Sequence, residues 1–266
     1  MFGFGRSDRS PVNPVPLVRD AAGVPAVNLD KVREGGHLNL AKAAEAAGAA
    51  LAVRGLAGIR AEAVVLLDHS GSMKPDYRSG AVRVLATRIL GFTLQFDRDG
   101  RVPVIPFDGH AHPVVEVTVA NHETVVEDHI WRPNDMGSTN LAEGLEVVRE
   151  MAAVTKSPLY VVVLTDGEPD DWDRAAKAAK RTTKAVCALA RYPVFLKFAA
   201  LRPVAYLNTL DSLDDSHRLL DNCNAQPPKG SAVDLLACTD SVFQNAMAEE
   251  WDQWITRALA AGVLTA

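Results

Sequence analysis

Apolar positions along the chain follow two rhythms, and they alternate. From Leu38 to Leu56, Leu40, Ala43, Ala44, Ala47, Ala50 and Leu51 recur at three and four, which predicts a helix with a small, closely packing face. Ala63-Val64-Val65-Leu66-Leu67 is apolar without alternation, as suits a strand buried on both faces of a parallel sheet. Val82, Leu85, Ala86, Ile89, Leu90, Thr93 and Phe96 return to helical spacing. Val102 to Phe107 and Val114 to Val119, separated by Asp108-Gly109-His110, then predict an antiparallel pair. A helix (Leu141, Leu145, Val148, Met151), a strand (Leu159 to Leu164), a helix (Ala175 to Ala190) and a strand (Val194 to Ala199) follow. Val242 to Leu259, with Trp251 and Trp254 on the apolar face, predict one last amphipathic helix whose tryptophans serve core packing or a docking face rather than a cofactor.

Strands alternating with helices of this length indicate βαβ units with right-handed crossovers. The predicted fold is α/β and doubly wound: a mostly parallel sheet with one antiparallel edge strand and helices on both faces. Residues 1–27 hold Pro11, Pro14, Pro16 and Pro25 among scattered Gly and Ser, and read as a flexible leader ending in an extended piece, Val27-Asn28-Leu29. Residues 28–60 read as an N-terminal segment whose helix packs on the domain, and 61–266 as the domain itself. Pro227-Pro228 and Gly230 mark Leu201 to Asp240 as the stretch without a clear pattern.

Composition narrows the function classes. With 48% hydrophobic and 23% charged residues the chain is an ordinary globular one, neither disordered nor coiled-coil. Lys+Arg 28 against Asp+Glu 33 gives a net charge of −5 with no basic block, which argues against nucleic acid as the main partner. No apolar run reaches the length of about 20 residues that a membrane helix needs. Cys187, Cys223 and Cys238 include no CxxC pair, so ordinary free thiols are expected. Met1 to Asp20 lacks the apolar core of a secretory signal, and a cytoplasmic protein is expected.

Ligand sites of parallel α/β sheets form where strands end at their carboxyl edge. Two strands here end in oxygen-rich turns, Leu67-Asp68-His69-Ser70-Gly71-Ser72 and Leu164-Thr165-Asp166-Gly167-Glu168. Between them Gly137-Ser138-Thr139-Asn140 opens a helix. Few charges with many neutral oxygens suit a hard divalent cation, Mg²⁺ first, with Ca²⁺ or Mn²⁺ acceptable. Two acids and three hydroxyls leave such an ion with positive character and an exchangeable position, which an Asp or Glu of a partner protein could complete.

Asp68-x-Ser70-x-Ser72, Thr139 and Asp166-Gly167 resemble, in order and spacing, the metal-ion-dependent adhesion site of von Willebrand factor type A (vWA) domains. Tyr77-Arg78-Ser79-Gly80, Gln95 to Gly100, Pro106-Phe107, Arg191 to Phe195, Thr239-Asp240-Ser241 and Glu249 to Ile255 are similar to the bacterial tellurium-resistance, toxic-cation stress branch. So are Asn28 to Lys31 and Asn39 to Lys42. The resemblance implies a doubly wound domain with Asp68, Ser70, Ser72 and Thr139 as direct or near-direct ligands and Asp166 acting through water or directly. It also implies a protein partner, and other stress-resistance proteins as its context. Ser138 stands where this branch commonly has glycine, so two adjacent hydroxyls compete for the metal, and Thr139 is favoured.

Other features take plainer readings. His69 is expected to be a partly exposed loop residue and His110 and His112 a solvated hairpin tip. Asp97 and Asp99 should end a helix, and Glu168, Asp170, Asp171 and Asp173 should cap the helix that follows them. A metal-dependent phosphohydrolase is the rival class, since such enzymes also place an acid at the end of a first strand. They need a second acid two residues on, where this chain has Ser70. Direct buffering of a toxic cation fits less well, because hard oxygens offer little to soft metals.

Overall fold

The uninterrupted apolar runs become the middle of one six-stranded sheet. The computed structural model describes residues 10–21, 23–170 and 175–266. In chain order its elements are β1 (Val15–Pro16), α1 (Leu29–Glu34), α2 (Leu38–Val53), β2 (Glu62–Asp68), α3 (Lys74–Ser79), α4 (Ala81–Thr93), β3 (Arg101–Phe107) and β4 (Val115–Thr118). They continue with α5 (Leu141–Val154), β5 (Leu159–Thr165), α6 (Ala175–Leu189), β6 (Val194–Ala200), α7 (Ala205–Asp211), β7 (Cys223–Gln226), α8 (Asp240–Ala248), α9 (Trp251–Ala260) and β8 (Leu264–Thr265).

The sheet order is β4-β3-β2-β5-β6-β7, parallel throughout except for the β3–β4 pair at one edge. The doubly wound sheet with one antiparallel edge strand is therefore as the sequence predicts. Alternate strand residues feed two cores. Val65, Leu67, Tyr160, Val162 and Phe195 pack with α2, α4, α8 and α9 on one face. Val64, Leu66, Val161, Val163 and Leu196 pack with α5, α6 and α7 on the other. The small face of α2 has the expected use: a Cβ on Gly91 of α4 would stand 2.8 Å from the Ala43 Cβ, so the two helices approach as closely as their side chains permit. Trp251 and Trp254 are buried, and Asp97 lies four residues beyond the end of α4, its carboxylate accepting from Ala63 N at the start of β2 at 2.7 Å.

Four expectations are corrected. The leader is not loose over the described residues 10–21 and 23–27. Val15 and Pro16 pair in parallel with Leu264 and Thr265, and the buried Arg60 guanidinium donates to the Asp20 carboxylate at 2.8 Å and to the Val24 and Gln95 carbonyls. Residues 1–9 lie outside the described residues. Val27-Asn28-Leu29 is a helix start, because the Asn28 side chain accepts from Asp30 N and Lys31 N and caps α1.

The last helix is two. Glu249 is extended and Glu250 takes a left-handed φ of 63°, between α8 and α9. The Lys197 ammonium, fully buried on β6, donates to the carbonyls of Ala246 and Glu249 at this break, at 3.0 and 2.7 Å, and to Asn224 Oδ1. The unpatterned stretch contains α7 and β7. The latter reads Cys-Asn-Ala-Gln and escapes hydrophobic periodicity because two of its four buried residues, Asn224 and Gln226, are polar, Gln226 Nε2 donating to Asn224 Oδ1 at 3.1 Å.

Candidate metal centre

The chain reverses side between β2, which is followed by β3 on one flank, and β5, which pairs with its other flank. A crevice opens at the carboxyl ends of such strands. Asp68 is the last residue of β2 and Asp166 directly follows β5, so the two acids lie across this crevice. After Asp68 the backbone leaves the sheet through an extended Ser70 (φ −74°, ψ 160°) and a single 3-10 turn at Gly71–Met73. The turn is tied to the Gly137 strand-like bridge by Gly71 N donating to Gly137 O at 3.0 Å. Tyr77, one turn into α3, donates its hydroxyl to the Asp68 carbonyl at 2.9 Å and holds the exit of β2.

Asp68 is fully buried. Its Oδ1 accepts from Ser70 N at 2.8 Å and its Oδ2 from Thr165 Oγ1 at 2.5 Å. Among the described residues no basic side chain pairs with it. Burial pushes its pKa up to about 6, against the lowering effect of the Ser70 and Thr165 hydrogen bonds, and the nearby Asp166 charge adds to the rise.

The hydroxyls line up towards Asp166. Ser70 Oγ lies 3.1 Å from Ser72 Oγ, and Ser72 Oγ donates to Asp166 Oδ1 at 2.8 Å. Thr139 Oγ1 and Ser72 Oγ each lie 3.9 Å from where a Cβ on Gly167 would stand, so they flank the same point. Ser138 Oγ is turned away: it lies 3.5 Å from the corresponding point on Gly109 and is buried without a hydrogen-bond partner. Of the two adjacent hydroxyls, Thr139 is the one on the side of Ser72 and Asp166. All five residues of the sequence-predicted set thus come together at one end of the β2–β5 seam.

Three contributors were not foreseen. Thr165 donates to Asp68 and accepts from Gly167 N at 3.2 Å, locking the β5 turn against β2. Arg202, just beyond β6, donates to Asp166 Oδ2 and, at 2.8 Å, to Asp76 Oδ2 on α3. Burial raises the Asp166 pKa, with the Ser72 hydrogen bond and Arg202 opposing. The signals existed only in retrospect. Thr165 precedes the strand-terminal acid, and Arg202 follows the next parallel strand at the same sheet edge.

The surroundings correct two further expectations. His69 is buried rather than partly exposed: its Nε2 accepts from Arg132 N at 3.0 Å and its ring faces Tyr77 and His112. Glu168 caps α7 instead of α6, its carboxylate accepting from Tyr206 N at 3.1 Å. The cap expected from Asp171 and Asp173 falls outside the described residues. Of the predicted hairpin tip, His110 is exposed, while His112 Nε2 lies 2.9 Å from the buried Asp108 carboxylate.

The donor set fits a hard dication. A buried carboxylate without a basic partner, three hydroxyl oxygens and a second carboxylate meet over a glycine that leaves the space open, all oxygen donors of the kind Mg²⁺, Ca²⁺ and Mn²⁺ accept. Among the described residues no helix is long and apolar enough to cross a membrane.

The chain is 24% identical over 218 residues to the uncharacterized protein YcbR of Bacillus subtilis (strain 168), covering 79% of this chain and 83% of that one. It is 32% identical over 117 residues to the uncharacterized protein sll0103 of Synechocystis sp., covering 42% of this chain but only 27% of the relative. A solved structure, a von Willebrand factor type A protein from Catenulispora acidiphila, is matched over 75% of this chain and 44% of its own length, with 13% identity and a TM-score of 0.41. The vWA-TerF-like family model, described as the vWA found in the TerF C terminus, matches residues 60–264, and over that span the chain belongs to this family.

Proposed function

We propose that the protein is a divalent-cation-dependent protein-binding module. Domains of the vWA type generally mediate protein interactions and are usually not enzymes. In the proposed state Asp68, Ser70, Ser72, Thr139 and Asp166 hold a divalent cation, Mg²⁺ before Ca²⁺ or Mn²⁺. The ion supplies an electrophilic coordination position that an Asp or Glu of a partner protein completes. The proposed setting is a cytoplasmic tellurite or toxic-cation stress-resistance complex, with other proteins of that response as partners.

The observation that carries this reading is the asymmetry of the two acids. Asp166 shares the Arg202 guanidinium with Asp76, whereas Asp68 is buried against hydroxyls with no cationic side chain among the described residues. A buried carboxylate so placed favours either a proton or a cation. Arg202 is shared between Asp166 and Asp76 and so offsets only part of the Asp166 charge; with the remaining donors neutral hydroxyls, the ion keeps an exchangeable position that an external carboxylate would complete. Ser70 presents a hydroxyl where a phosphohydrolase of the rival class would need its second acid.

Isothermal titration with Mg²⁺, Ca²⁺ and Mn²⁺ should show one site that an Asp68→Ala/Ser70→Ala variant lacks. Unchanged binding in that variant would refute the assignment. Immobilised protein should retain a partner from lysate with Mg²⁺ and release it on chelation. Retention indifferent to chelator would refute cation-dependent recognition even where the metal binds.

A further inference from the structure

We infer that His37, His122 and Glu123 form a second metal site, of a different chemical class, which takes a borderline transition ion such as Zn²⁺. The three side chains offer two imidazole nitrogens and a carboxylate oxygen that all lie within 4.8 Å of one another. None of them belongs to the hydroxyl-rich centre at the ends of β2 and β5.

Geometry and protonation both favour this set. His122 Nε2 is 3.2 Å from His37 Nδ1. Zinc–nitrogen bonds of about 2.0–2.1 Å at tetrahedral angles place neighbouring ligand atoms roughly 3.3 Å apart. The two rings meet edge to face, 5.1 Å between centroids, so the two nitrogens face each other rather than stacking past each other. Thr87 Oγ1 lies 3.1 Å from the other ring nitrogen of His122. A hydroxyl that accepts the Nδ1 proton fixes the tautomer whose Nε2 lone pair is free for a metal, the usual supporting arrangement of ligating histidines.

His122 is buried, with 3% exposure, and its amide is held on Thr118 O at 3.1 Å, so its position is fixed. His37 occupies the N-cap of α2 yet makes no side-chain cap bond, its ring being turned to His122 instead. Glu123 is exposed and free to swing its carboxylate in.

The site would join two parts of the chain. His37 begins the helix of the N-terminal segment, and His122 and Glu123 lie in the turns after edge strand β4. Two imidazoles and one carboxylate leave a fourth tetrahedral position for water. Oxygen-loving Mg²⁺ does not compete well for such a nitrogen-rich set, so the two centres would be loaded independently.

The other histidine cluster, His69, Asp108 and His112, is a weaker choice. His69 Nε2 accepts the Arg132 amide proton, so its Nδ1, the atom facing Asp108 at 3.6 Å, carries the ring proton and has no lone pair to give.

Titration of the full chain with Zn²⁺ in excess Mg²⁺, and with Co²⁺ followed by its visible absorption, tests the inference. The expected result is one equivalent bound with the intense absorption of a four-coordinate cobalt site. His37→Ala, whose ring is only half-buried, should lower the affinity at least tenfold, and Glu123→Gln should weaken it less. Asp68→Ala and His112→Ala should leave it in place. Absence of a Zn²⁺ equivalent in the parent, equal titration of His37→Ala and the parent, or loss in His112→Ala instead would each overturn the inference. The first two outcomes would mean that the pair is joined by an N–H···N hydrogen bond alone.

Discussion

Replacing Asp68 with Asn, which keeps the shape and removes the charge, should stabilise the metal-free protein and abolish its response to metal. The Asp68 carboxyl is fully buried, and its pKa is pushed up from 3.8 to about 6. At roughly 1.4 kcal/mol per pH unit of displacement, that rise corresponds to about 3 kcal/mol. The folded state holds this proton more tightly than the unfolded chain, so the contribution is complete below the unfolded value of 3.8 and is lost as pH rises through about 6. Above that window, with chelator present, an ionised Asp68 opposes folding.

Asn can keep Oδ1 as the acceptor for Ser70 N and turn its amide to Thr165 Oγ1, which can accept as well as donate. Loss of a charge-assisted hydrogen bond offsets part of the gain, leaving about 1–2 kcal/mol at pH 8. For a chain of this size that is a rise in Tm of roughly 2–8 °C. In saturating Mg²⁺ the order should reverse, because only the parent gains the linkage term, about 2.7 kcal/mol at a hundred times Kd. Thermal melts followed by circular dichroism, at pH 4 and pH 8 with chelator or Mg²⁺, give all four values. An Asn variant that melts below the parent at pH 8 in chelator would refute the reasoning, since it would show that the carboxylate is favourably compensated without a cation.

Arg202→Gln should raise Mg²⁺ affinity about fivefold by calorimetry, because the half-exposed guanidinium competes for Asp166 with an interaction of about 1 kcal/mol after solvent screening; a fall in affinity counts against that competition. Lys197→Met should cost about 1–3 kcal/mol in chemical denaturation and speed amide exchange at the α8–α9 junction. It leaves the Ala246 and Glu249 carbonyls without the Lys197 donor and Asn224 Oδ1 with only Gln226 Nε2, and an unchanged denaturation midpoint would contradict that role. Gly91→Ala should lower stability by about 1–3 kcal/mol, since the new methyl would meet the Ala43 Cβ at 2.8 Å; a neutral result would mean that α2 can shift away from α4.

Much of this molecule could be read from local pattern. The strands around Val65, Val162 and Leu196 announce themselves because a position buried on both faces tolerates only apolar side chains. Asp68 and Ser70 could be grouped because an extended exit from a strand presents alternate residues on one side, and Ser72 follows them in the 3-10 turn that Gly71 opens. Glycine and threonine before α5, and an acid and glycine after β5, complete the set by their position at strand and helix ends.

What the residues could not reveal depends on neighbours distant in sequence. β7 carries Asn224 and Gln226 inward, and only the buried Lys197 ammonium and the Glu249 carboxylate explain why polar residues belong there. The helical period of Val242 to Leu259 runs on through Glu249 and Glu250, yet the backbone breaks where Lys197 takes two carbonyls away from the helix end. The leader is tied down by an arginine, Arg60, some 40 positions from Asp20 in sequence.

At the candidate site the same division holds. Sequence by itself determined which oxygen-bearing residues stand at the strand ends and in what order, because each sits in a local turn whose geometry its own residues dictate. Only the tertiary structure decided the electrostatics: that Asp68 is sealed from water and that Arg202 reaches Asp166 from the next strand; away from this site it also brought His37 and His122, 85 residues apart in sequence, to 3.2 Å. Charge and desolvation act through space rather than along the chain, and the packing of the fold sets those distances.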